Sequence, residues 1–113
     1  MTRHRLPNRR PAMTEEIAID GGAAPFTATI GFGPDGRPAE VFLSGGKAGS
    51  NLATILGDSA VLISIALQHG VPVAALGKSI ARIPEAVDGP PVVPASPMGA
   101  ALDLLTRYEQ GCR

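Results

Sequence analysis

At "SGGKAGSN", residues 44–51, a strand runs into a helix, and the join carries the residue types of a phosphate cradle: glycines, a lysine and a hydroxyl. Backbone N–H groups at Gly49, Ser50 and Asn51 stand at a helix N-terminus, where free donors and the macrodipole favour an anion, and Lys47 adds a positive charge. A Walker-type loop needs two glycines five apart, then lysine and a hydroxyl residue, after a buried parallel strand. Here the lysine precedes the last glycine and the strand before it returns from a hairpin, so that match fails. Two readings remain open: a weak anion site for phosphate or a nucleotide formed by Lys47, Gly49, Ser50 and Asn51, and a glycine corner that only turns the chain.

Other candidate groups point away from catalysis. His69 ends the long helix, where the dipole favours its protonated form and a capping role. No second histidine or cysteine stands at metal-ligand spacing, so no metal and no cofactor are expected. Asp58 and Asp103 sit on the polar sides of two helices, with no pattern that pairs them as acid and base. Cys112 is the only cysteine and lies beside the C-terminus, without a partner thiol or an evident base. No residue is assigned a catalytic role.

Those groups need a scaffold, and composition bounds it. The chain has 113 residues, 44% of them hydrophobic, enough for one domain with its own core. Aromatics are 4%, so Leu, Ile, Val and Ala must fill that core, while 14 Gly and 11 Pro call for many tight corners. Net charge is zero but uneven: Arg3, Arg5, Arg9 and Arg10 precede a body with six basic and ten acidic residues. Residues 1–13 are expected to form a disordered arm, and residues 14–110 a single domain. Nucleic acid binding would rest on that arm alone, because the body shows no basic stripe interleaved with aromatics. The apolar run from Ala60 to Leu67 is too short to cross a bilayer and no secretory signal is evident, so no membrane association and a cytoplasmic location are expected.

Periodicity then places the elements. "EEIAID" and "PFTATIGF" alternate in period two, "GPDGRP" reverses the chain and "AEVFLS" returns antiparallel. From Ser50 the spacing becomes helical: Leu52, Ile55, Leu56, Ser59, Ala60, Ile63, Ala66 and Leu67 share a stripe that runs to His69. Because "VLISIALQ" is apolar nearly all round, a homo-oligomer is expected, a dimer with Ile63 and Leu67 at its interface. "PVAALGKSIAR" reads as a short helix. "IPEAVDGPPVVPA" reads as a loop, since four prolines in thirteen residues oppose regular structure. Ser96 and Pro97 open a final helix with Met98, Ala101, Leu102, Leu105 and Tyr108 on one stripe. Within helices, Gly57 is expected to mark close packing and Gly99 a boundary. The fold class is α+β: a small antiparallel meander of two or three strands against two or three helices.

"DGRPAEVFL", a lysine with "GS" opening a helix, "SIALQHGVP" and "ASPMGAALDLL" follow in an order that resembles the C-terminal segment of vitamin B12-dependent ribonucleotide reductases, known as a TSCPD domain. The resemblance runs from about Glu15 to Tyr108. The Thr-Ser-Cys-Pro-Asp element that names the family has no counterpart here, and the large barrel that would bind substrate and cobalamin is absent. The resemblance therefore implies an accessory or binding domain, with a reductase core, a nucleotide or a second copy as partner. The alternatives are a subunit of a split reductase acting in deoxyribonucleotide synthesis, and an Arg-armed protein associated with nucleic acid.

Overall fold

The computed structural model describes residues 3, 6, 11–19, 23–46, 49–84, 87–89 and 91–111. Three antiparallel strands form the main sheet: β1 (Ala12–Ile19), β2 (Ala23–Phe32) and β3 (Pro38–Ser44), in the order β1-β2-β3. Then come α1 (Asn51–Gln68), α2 (Val73–Gly77), a hairpin of β4 (Arg82–Pro84) and β5 (Pro91–Pro94), and α3 (Pro97–Gly111). The fold is α+β, as the alternation of periods required.

Alternation decides which side of the sheet is buried. Phe26, Ala28, Ile30 and Phe32 of β2 point into the core, joined by Val41 and Leu43 of β3. Thr14 and Thr29 share the opposite face, where their hydroxyls bond at 3.1 Å. The helices contribute Leu56, Ala60 and Ile63 from α1, Val73 from α2, and Ala101, Leu102, Leu104 and Leu105 from α3. Tyr108 closes one end, its ring packed edge-on against Phe32 at 5.7 Å between centroids. Its hydroxyl donates to the Glu15 carboxylate, so β1 and α3 are joined by a polar tie as well as by packing.

Several elements differ from the sequence reading. β1 begins at Ala12 and pairs with β2 from Ala12↔Gly31 to Ile19↔Ala23. The proline-rich segment expected to be irregular contains the β4–β5 hairpin, with Ile83 opposite Val93 and Pro84 opposite Pro91. Proline is tolerated there because each strand of a two-stranded sheet has an outer edge that needs no donor. α2 is shorter than expected and ends at Gly77. Gly57 does not mark close packing, because a Cβ there would meet nothing within 4 Å. At Gly99 it is the reverse: a Cβ would stand 3.1 Å from both Ile80 and Pro94, so the first turn of α3 packs closely against its neighbours.

Of the two expected interface positions, Ile63 belongs to the core of a single chain and Leu67 is partly buried beside it. Ile63 is 4% exposed and Leu67 packs against the same cluster, whereas Ile55, Val61 and Leu62 are the exposed apolar side chains of α1. Among the described residues α1 is the one helix long and apolar enough to cross a membrane, at 18 residues and mean hydropathy 1.4. Its packing on the sheet buries Leu56, Ala60 and Ile63, and 28% of the helix lies inside the fold.

Two outcomes follow. Ile63→Ala should cost about 2–5 kcal/mol in urea unfolding, because it opens a cavity in the core, while Leu62→Ala on the exposed side should change stability by about 0.5 kcal/mol or less. The Tyr108 hydroxyl should titrate above the usual value of about 10, because the bond to Glu15 holds its proton. The stabilisation is full below the unfolded pKa and is lost as pH rises through the raised folded value. Tyr108 is the only tyrosine, so near-ultraviolet absorbance reports it alone, and Glu15→Gln should bring its midpoint down.

Candidate functional site

The strand-to-helix join is built as a corner. Ser50 is the N-cap of α1 and its hydroxyl accepts from the Ala53 amide at 3.2 Å. Gly46 and Gly49 hold φ values of 70° and 80°, which glycine alone adopts without strain. A Cβ on Gly45 would lie 2.6 Å from that of Phe26, so the chain passes too close to β2 for any side chain. Asn51 begins the helix on its exposed side. Lys47 lies outside the described residues, so the charge on which the anion reading depends has no assigned place in the site.

A better-formed concavity lies at the other end of α1. The β2–β3 turn is held by Gly33 N–H to Arg37 O at 2.9 Å, Gly36 N–H to Gly33 O at 2.9 Å, and Arg37 N–H to the Asp35 carboxylate at 3.0 Å. Gly36 takes φ 80°, as "GPDGRP" required. Opposite it, α1 stops at a tight corner: Gly70 adopts φ 87°, Val71 N–H bonds to Ala66 O at 3.0 Å, and the His69 ring reaches Ile65 O through Nδ1 at 2.9 Å. His69 thus caps the helix.

Two side chains of α1 bind this corner to the sheet. The Ser64 hydroxyl accepts from Val41 N–H at 2.9 Å and lies 3.1 Å from Val41 O, to which it donates. One turn later the Gln68 amide donates to Ala39 O at 3.2 Å. Between the β2–β3 turn and the α1–α2 corner lies a cleft of about 450 Å³, within the range of small-ligand and peptide-anchor sites. Pro34 and Pro38 line it from the turn, and Leu67, Val71 and Pro72 from the corner. Arg37, Asp35 and Glu109 supply charge at its margin. The stretches "DGRPAEVFL" and "SIALQHGVP" therefore meet at one place.

An apolar lining with one guanidinium and two carboxylates can orient a ligand, and among the described residues it holds no nucleophile beside a base. Among the described residues no group of three His, Cys, Asp or Glu could hold a metal ion. Asp58 is exposed on α1. Asp103 forms a two-pronged ion pair with Arg82, and that hydrogen bond, more than the charge itself, raises the guanidinium above its already high pKa. This pair fastens the β4–β5 hairpin to α3. Its partners are 21 residues apart on different elements, so no local spacing could have announced it.

Comparison with known proteins agrees with the landmarks. The TSCPD domain family model matches residues 2–106. The chain belongs to the TSCPD domain family. Over 70 residues it is 39% identical to a vitamin B12-dependent ribonucleotide reductase of Rhodopirellula baltica, covering 62% of this chain and 6% of that protein. The reductases of Agrobacterium fabrum and Streptomyces coelicolor are also 39% identical over 70 residues, with 5% and 7% of their lengths covered. The chain thus spans a small fraction of each of these relatives. No solved structure matches it significantly.

Ser64→Ala should expose how the cleft is held. With the hydroxyl gone, the Val41 N–H and C=O lose their side-chain partner, at a cost of about 1–3 kcal/mol. Hydrogen exchange at the Val41 amide should accelerate more than at its neighbours in β3.

Proposed function

We propose that this chain is a non-catalytic binding domain serving ribonucleotide reduction in the cytoplasm, docking on a reductase core through the cleft between the β2–β3 turn and the α1–α2 corner. One observation carries the reading: the two stretches that resemble the C-terminal segment of vitamin B12-dependent reductases, far apart in the chain, line the same cleft. The rest of the cleft suits a protein anchor, since its lining is mostly apolar and its charges stand at the margin.

The test uses the purified full chain and a purified reductase from the same cell. The chain alone, given a cobalamin cofactor, a ribonucleotide and a thiol reductant, should form no deoxyribonucleotide; turnover would overturn the non-catalytic reading. Binding to the reductase should weaken about tenfold or more in Val71→Asp, which places a charge in the apolar cleft, with little change in melting temperature. Equal binding by both forms would remove the cleft from the proposal. A second reading, a working subunit of a split reductase, rests on the same kinship. It predicts that adding the chain restores product formation to a reductase lacking its C-terminal segment.

A further inference from the structure

Gln68 is an unusual residue to find at the seam between α1 and β3, because it is polar and only 7% exposed. Its amide nitrogen donates to Ala39 O at 3.2 Å, which fixes the orientation of the group and leaves Oε1 as an acceptor on the other side. The Arg3 guanidinium meets that oxygen, Nε to Oε1 at 2.6 Å. A buried amide oxygen deprived of a donor is costly, and a charged donor answers it better than a neutral one.

The neighbouring geometry extends the contact. Gln68 lies between two hollows and lines both. Arg3 enters the hollow of about 340 Å³ flanked by Phe42 and Val61. Leu6, three residues later and half-buried, enters the cleft of about 450 Å³ beside Leu67 and Val71. Further along, Pro11 O accepts from Phe32 N–H at 3.0 Å, which ties the arm's end to the sheet.

We infer that Gln68 is a guanidinium socket, and that its occupant is the chain's own N-terminal segment, with Arg3 in the socket and Leu6 in the adjoining cleft. Arg3 and Leu6 then act as a resident ligand, and any partner entering the cleft must first displace Leu6. The inference rests on contacts within one chain and stands or falls separately from the reductase reading.

Nitrogen-labelled full-length protein tests it by NMR. In the wild type at neutral pH the Arg3 Nε–H should exchange with water about tenfold more slowly than in a free peptide of residues 1–10, and Gln68→Ala should abolish that protection. Added to the full-length Arg3→Ala, Leu6→Ala double variant, the same peptide should cause saturable shifts at the Gln68 side-chain amide and the Val71 amide. The wild type, its site already filled, should need about ten times more peptide. An Arg3 Nε–H that exchanges as fast in the wild type as in the free peptide overturns the inference without recourse to any variant. So does a peptide that saturates wild type and double variant alike, or that shifts neither.

Discussion

An edge strand presents a row of backbone groups that must find partners, and the way α1 meets that need on β3 sets the rest of the molecule. Ser64 and Gln68, one helical turn apart, reach sideways to Val41 and Ala39, so the helix lies along the strand at a fixed depth and phase. That phase turns Leu56, Ala60 and Ile63 into the core and leaves Val61 and Leu62 outside. It also brings the end of α1 level with the β2–β3 turn. The cleft exists because these two elements are held together there.

The glycines and prolines at the cleft serve rigidity more than flexibility. Gly36 and Gly70 adopt left-handed conformations that close the two corners, and Pro34, Pro38 and Pro72 stiffen the backbone on either side. A lining built this way loses little entropy when something binds. The remaining elements brace it from behind: Arg82–Asp103 fastens the small hairpin to α3, and Tyr108 joins α3 to β1 through Glu15 and to β2 through Phe32.

Membership in the TSCPD family and the geometry of the cleft bear on different questions. Kinship connects the chain with vitamin B12-dependent reductases while covering only a small part of them. The geometry concerns the local shape and charge of one cleft, an apolar lining with a guanidinium and two carboxylates at its margin.

Within the sequence, elements governed by neighbours were legible. Period-two alternation gave β2 its buried face, "GPDGRP" its turn and His69 the end of α1, because each depends on residues a few positions away. The meeting of "DGRPAEVFL" with "SIALQHGVP" was not legible as a cleft, since nothing in either stretch states their separation in space. Helix phase was legible in the stripe through Leu56, Ser59, Ala60 and Ile63, but an almost uniformly apolar "VLISIALQ" did not mark its outer side, so Ile63 was expected at an interface and lies in the core. The β4–β5 hairpin escaped because proline content speaks only of lost donors, and edge strands need fewer. Arg82–Asp103, Tyr108–Glu15 and Arg3–Gln68 join residues 21, 93 and 65 positions apart, pairings that only the packing of whole elements brings within bonding distance.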